Sequence, residues 1–239
     1  MKDKTVISLG GSLIVPVLGE IVPDSGTNVD FEYLKEFSTL IRRYTKDQQF
    51  YLIAGGGITA RSYINAAKLV NPNITKEDED WIGIHATRNN AQFVRTIFQD
   101  IARPEIVTFP GRKLETNYPV VVGAGYKPGN STDYIAVKMA QVNGVKRVIN
   151  LSNIPYAYDK DPKKHTDAKR LIDIHWGDFR KIVGDKWIPG MNTPFDPIAS
   201  ILAEEHNMTV IIADGKNLSN LEAILSGRAY RGTTISPKR

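Results

Sequence analysis

The chain contains no cysteine. Disulfides, thiolate metal sites and cysteine nucleophiles are therefore excluded. Histidine is scarce as well: His85, His165, His175 and His206 are the whole set, and no two have the short spacing of a metal-binding helix. A zinc centre has no basis here, and no protein-borne metal site is expected. No apolar run approaches the roughly 18 residues needed to cross a bilayer. The opening MKDKTVISLGGSL has two lysines and a short apolar stretch, but glycines interrupt it at once. It reads as a first strand entering a tight loop, not as a secretion signal, and a cytoplasmic protein is expected. Neither a Walker-A GxxxxGK(S/T) loop nor a GxGxxG fingerprint after the first strand occurs. Repeats, low-complexity tracts and linkers are missing too, so residues 1–239 are expected to form one functional unit.

The 239 residues, 41% hydrophobic and 24% charged, suit a large α/β domain or two lobes sharing a sheet. The net charge of +5 suits an anionic ligand. Basic residues are spread out, and the densest cluster is Lys160, Lys163, Lys164, Lys169 and Arg170. Without a basic stripe and interleaved aromatics, a solvated or nucleotide-facing loop is the better reading than nucleic acid.

Short apolar runs alternate with glycine-rich loops and helical patterns. Residues 5–9 (TVISL), 50–54 (FYLIA), 119–122 (PVVV), 147–151 (RVINL) and 208–213 (MTVIIA) read as strands. Helical patterns cover 30–44, 59–69, 80–98, 133 to about 142, and 219–225. Residues 20–28 (EIVPDSGTN) read as an exposed loop or hairpin. This alternation predicts a mostly parallel sheet covered by helices on both faces, with ligands at the carboxyl ends of the strands.

Four loops fall at those ends. Gly10-Gly11-Ser12 either lets backbone N–H groups approach a phosphate or is a tight turn. Gly55-Gly56-Gly57 lies between a strand and a helix, where free N–H donors favour an anion, and Arg61 sits one turn further on. A close crossing of helix over strand is the other explanation. In Tyr126–Asp133 (YKPGNSTD), Pro128-Gly129 shapes a turn and Asn130, Ser131 and Thr132 offer polar groups. That segment is either a wall against ligand oxygens or simply a good N-cap. Ser152–Pro162 (SNIPYAYDKDP) could hold a base and ribose, or be a rigid surface loop set by its prolines.

Taken together, VISLGGSL, LIAGGGITARSYI, DWIGIHATRNNA, YKPGNSTDYIAVKMA, NLSNIPYAYDKDP, FDPIASILAE and RGTTI extend over nearly the whole chain. Their order and spacing resemble the amino-acid-kinase superfamily, and most of all its archaeal-type uridylate (UMP) kinases. The segment DWIGIHATRNNA, with GGG-x-x-x-R upstream, is the most specific part of the resemblance. It implies a three-layer αβα sandwich with a mostly parallel sheet, a hexamer, and Mg²⁺-assisted transfer of the ATP γ-phosphate to UMP in pyrimidine nucleotide synthesis.

Carried over by position, the resemblance implies that Gly10, Gly11, Gly57 and Arg61 meet the ATP phosphates. Ser152, Asn153, Tyr158 and Asp161 line its base and ribose. Gly56, Asp80 and the run Tyr126, Lys127, Pro128, Gly129, Asn130, Ser131, Thr132 hold UMP. The N-terminal part would thus serve mainly UMP and the C-terminal part mainly ATP. Gly11, Arg61 and Asp196 are the expected catalytic positions. Asp196 precedes Pro197, so a helix N-cap is its other reading.

Two departures stand out. Ser8 replaces a lysine common in the superfamily, leaving Arg61, then Lys127 or Lys160, to supply the cation. Ile154-Pro155-Tyr156 replaces the usual valine-Asp-Gly beside the ATP pocket. A nucleotide-binding protein without catalysis, or a kinase with another acceptor such as isopentenyl phosphate, are the alternatives. His85 is assigned no chemistry, and Trp81, Trp176 and Trp187 are expected to pack or form an interface.

Overall fold

The computed structural model describes residues 2–16, 27–186 and 193–238. Most of the 20–28 loop and Trp187 lie outside the described residues.

Among the described residues, seven strands form one sheet in the order β3-β2-β1-β4-β6-β7-β5. The five adjacent strands from the β3 edge inward are, in chain order, β1 (Asp3–Leu9), β2 (Gln48–Ala54), β3 (Val120–Gly123), β4 (Arg147–Ser152) and β6 (Thr209–Asp214). They run parallel, with Ile7 opposite both Leu52 and Ile149. Their inner residues are buried without alternation, as expected when both faces of a strand are covered. β5 (Asp173–His175) and β7 (Thr233–Ser236) extend one edge, and β7 runs antiparallel to β6.

Helices pack on each face, giving the αβα layering. One core joins Ile7, Leu9, Leu52 and Val122 to α2 (Phe31–Tyr44), α8 (Leu218–Leu225) and one side of α4 (Lys76–Ile97). The other joins Val6, Tyr51 and Val148 to α5 (Thr132–Val142), α6 (Trp176–Val183) and α7 (Pro197–Glu205). A short α1 (Gly11–Ile14) leaves β1, and α3 (Gly57–Val70) leaves β2.

The expected strands and helices are present, with shifts that have local causes. α4 begins before Asp80 because Thr75 and Asp78 form a reciprocal capping box. β5 and β7 are only three and four residues long, too short for a periodic signal. Trp176 packs as expected: it is buried edge-on to Phe179, and its indole N–H donates to the Met208 carbonyl at 2.8 Å. Trp81 and His85 lie on the exposed side of α4, their rings 6.1 Å apart.

β1 lies between β2 and β4, and the connections that follow these strands leave on opposite faces of the sheet. Such a switch point opens a crevice at the carboxyl ends of the strands. The glycine turns lie there.

Candidate active site

Two of the glycine turns meet backbone to backbone. A Cβ on Gly11 would lie 2.0 Å from the Gly57 nitrogen, and one on Gly57 would lie 2.4 Å from the Gly11 carbonyl. Gly57 also has a φ of +60°, which side chains rarely adopt. Ladder bonds continue past the strand ends, from Gly10 N–H to Leu151 O and from Gly55 N–H to Leu9 O, both at 2.9 Å. The close crossing offered as an explanation of the triple glycine is therefore real. It also leaves the start of α3 at the crevice without a side-chain cap. Free N–H donors at a helix start are what an anion needs. Gly56 is the N-cap residue of α3, and its carbonyl and that of Gly55 accept from the buried Asn90 amide, at 3.3 and 2.7 Å. Arg61 is exposed on α3 and makes no hydrogen bond or ion pair among the described residues.

Beyond β1, on the α5 and α7 side, stands a pair of carboxylates. Ser8 bonds Asp133 Oδ1 at 3.1 Å across the sheet surface. Asp133 belongs to the first turn of α5, where Ser131 is the N-cap and accepts from Tyr134 N–H at 3.1 Å. Asp196 caps α7, accepting from Ala199 N–H at 2.7 Å with Pro197 in the first turn, and the Ser131 side chain lies near enough to help hold its charge. Neither carboxylate has a Lys or Arg ion pair among the described residues. Asp133 keeps some exposed surface, yet protein surrounds its carboxyl. Burial, reinforced by the neighbouring charge of Asp196, pushes it up to about 7. Asp196 is shifted up by burial, against the hydrogen bonds it accepts.

Tyr126–Thr132 forms the rim between β3 and α5. Tyr126 is half-buried, edge-on to Phe109 at 5.3 Å, and the exposed Lys127 ammonium lies 5.5 Å from the Tyr126 ring. Pro128 precedes Gly129, whose φ is +80°. The Gly129 N–H donates to Asp80 Oδ2 at 2.8 Å, and Asn130 bonds the Gly129 carbonyl. Thr132 opens α5.

The loop after β4 sits less centrally. Ser152 accepts from Ile154 N–H at 3.3 Å, and its carbonyl accepts from Gly215 N–H at 2.8 Å. Asn153 is exposed. Tyr158 bridges to Arg170, and Asp161 caps a turn through Lys163 N–H at 2.9 Å, so both make their contacts within their own loop. Lys160 is tied to Asp167 at 2.6 Å, which offsets its charge and weakens its claim as the replacement cation. At the departure from valine-Asp-Gly, Tyr156 lies under the Arg170 guanidinium at 5.5 Å.

The structure thus brings together Gly10, Gly11, Gly56, Gly57, Ser131 and Asp196, with Asp80 fastened to Gly129. Asp133 was missed as a site residue. In sequence it reads as an ordinary acidic residue in a helix first turn, and only Ser8 facing it gives it weight.

A doubly wound sheet with glycine turns meeting at its switch point, carboxylates to one side and a polar rim to the other, is an arrangement suited to anionic ligands at strand ends. The chain belongs to the amino acid kinase family, whose model matches residues 3–214. It is 32% identical over 241 residues to a uridylate kinase of Thermoplasma volcanium, covering 100% of both chains. It is 28% identical to one from Pyrococcus abyssi, covering 98% of this chain and 100% of the relative. The crystal structure of uridylate kinase from Archaeoglobus fulgidus superposes with a TM-score of 0.80 at 28% identity, over 99% of this chain and 100% of that one.

Proposed function

We propose that this protein is a UMP kinase, transferring the γ-phosphoryl group of ATP to UMP to give UDP and ADP in the cytoplasm. The observation that carries the reading is the meeting of the β1 and β2 turns, Gly11 against Gly57, in a chain that aligns end to end with uridylate kinases.

A phosphate oxygen of UMP attacks the γ-phosphorus. The new O–P bond forms as the bond to the β-bridging oxygen breaks, and ADP leaves with that oxygen. The attacking phosphate is already an anion, so no strong base is needed. The task is to bring two polyanions together and to stabilise charge on the group in flight. Gly10, Gly11, Gly57 and Arg61 serve the ATP phosphates, while Ser152, Asn153, Tyr158 and Asp161 receive its base and ribose. Gly56, Asp80 and Tyr126–Thr132 receive UMP. The N-terminal part, to Thr132, serves mainly UMP and the C-terminal part mainly ATP, while Gly10, Gly11, Gly57 and Arg61 reach the ATP phosphates from the N-terminal part.

Mg²⁺ neutralises phosphate charge when it arrives with ATP. Such an ion is commonly held by one or two carboxylates together with the phosphates. Asp133 and Asp196, two neighbouring carboxylates without a cationic partner among the described residues, fit that role. Arg61, exposed one turn into α3 and without a partner among the described residues, supplies the cation that Ser8 lacks.

The test is UDP formation from ATP and UMP at varied Mg²⁺. Arg61→Ala is expected to lower kcat/KM more than tenfold, beyond about 1.4 kcal/mol. Near-normal turnover and saturation would remove Arg61 from this role. Asp196→Asn tests the two uses of that carboxylate: lost activity in a stable protein favours catalysis, and lost stability with normal specific activity favours the cap.

One observation favours a second reading. Ser8 bonds to Asp133 where many superfamily members, though often not the archaeal-type UMP kinases, carry a lysine, and a site whose serine is engaged in this way also suits a protein that binds nucleotides without transferring phosphate. Tight binding of ATP and UMP with no UDP would establish it.

We also propose a homo-oligomer, a hexamer in its full form. The exposed Tyr63, Leu69 and Val70 on α3 support a subunit contact there. Light scattering of the protein and of Leu69→Ser tests the assembly.

A further inference from the structure

The rim at residues 126–132, and Gly125 that leads into it, are fastened to α4 through their backbone. Thr87 donates its hydroxyl proton to the Ile84 carbonyl at 2.7 Å, which aims its oxygen to accept from Gly125 N–H at 2.8 Å. Arg88 then donates Nε to the Gly125 carbonyl at 3.2 Å and a terminal nitrogen to the Tyr126 carbonyl at 3.0 Å. Two turns earlier, Asp80 takes the Gly129 N–H. Residues 80, 84, 87 and 88 share a face by helical spacing. Gly125 has no room for a side chain, since a Cβ there would lie 2.8 Å from Thr87 Oγ1 and 3.3 Å from Ile84 Cα.

Arg88 is an unusual fastener. It makes no ion pair with a carboxylate among the described residues. Its charge is directed at two successive neutral carbonyls, a task suited to the rigid guanidinium fork and not to a lysine. The first carbonyl belongs to the last residue before the rim and the second to its first residue. The fork therefore fixes the direction in which the rim leaves β3.

We propose that Arg88 is a positioning residue: by gripping the Gly125 and Tyr126 carbonyls it sets the pose of Tyr126–Thr132 and hence the affinity for the nucleoside monophosphate acceptor. This rests on the kinase reading for the identity of the ligand, but not for the grip itself. Arg88 touches neither nucleotide in this scheme. Removing it loosens the acceptor rim while leaving the Gly11–Gly57 crossing intact, because that crossing is tied to α4 separately through Asn90.

The test compares wild type, Arg88→Gln and Arg88→Lys by two measurements. The first is titration calorimetry and steady-state kinetics with UMP and ATP. Arg88→Gln is expected to weaken UMP binding by about tenfold and to raise the KM for UMP to match, with the KM for ATP within about twofold. Arg88→Lys should recover part of the loss. The second is amide exchange on the ligand-free protein. Peptides over 124–132 should exchange faster in Arg88→Gln, and peptides over 55–60 should not change. Equal losses for both nucleotides together with a lowered Tm would overturn the proposal, as would unchanged exchange at the rim. Should wild type neither bind UMP nor form UDP, the kinase reading fails, and the exchange experiment still decides whether Arg88 grips the rim. Should Arg88→Gln not fold, Arg88→Lys is read against wild type by the same criteria.

Discussion

α2 and α3 are both 14 residues long, and the fold holds them by different means. α2 buries Tyr33, Leu34, Phe37, Leu40 and Ile41 along one stripe, and its N-cap Asp30 accepts from Tyr33 N–H at 3.1 Å. α3 buries no residue fully. It is held at its tip, where glycine crosses glycine, and along α4, where Glu79 bridges Lys68 and Lys76 at 2.9 Å each. Its far end, with Leu69 85% and Val70 87% exposed, touches little else. A core helix is specified by its apolar period. A helix that delivers its N-terminus to a site can be specified by the few atoms that let it approach.

That contrast can be broken by mutation. Phe37→Ala, in the stripe of α2, should cost about 3–5 kcal/mol in a denaturant titration, because it empties a filled core position. No truncation of an apolar side chain on α3 should match it. Gly57→Ala should cost about 2–4 kcal/mol through its positive φ and the clash with Gly11, and activity should collapse with it. Normal activity in that variant would show that the crossing can relax. Asn90→Ala should cost about 1–3 kcal/mol by stranding the Gly55 carbonyl, while the Gly56 carbonyl keeps the Ala60 N–H. Leu69→Ser with Val70→Ser should leave protomer stability within about 0.5 kcal/mol of wild type.

The carboxylate side adds a pH signature that neither helix shares. A carboxyl raised in the folded state binds its proton more readily there than in the unfolded chain. Its favourable contribution is full below the ordinary value of 3.8 and is lost as pH rises to about 7. Asp133→Asn should remove this part of the decline in thermal stability across that interval. Phe37→Ala should keep it.

Legibility followed the same division. α2 could be read from Leu34, Phe37 and Ile41, with Phe31 in the same spacing but exposed, and the parallel strands from their unbroken apolar runs, because burial on a large scale leaves a period in the sequence. The glycine turns were legible as places needing close approach, but not for what they approach, since Gly11 and Gly57 are distant in the chain. Asp80 was legible only through resemblance, and its bond to Gly129 depends on a tertiary register that spacing does not encode. Ser8 stood out as a departure, yet its partner Asp133 did not, because a first-turn acid on a helix is commonplace. The TRNNA stretch, within the most specific part of the resemblance, has a physical content that sequence alone does not display: Thr87, Arg88 and Asn90 hold two separate loops from one helix.

The crossing of Gly11 and Gly57 also restricts motion. Two backbones in contact without side chains between them leave no slack, so neither turn can shift toward the other and the inner edge of the crevice is sterically fixed on that side.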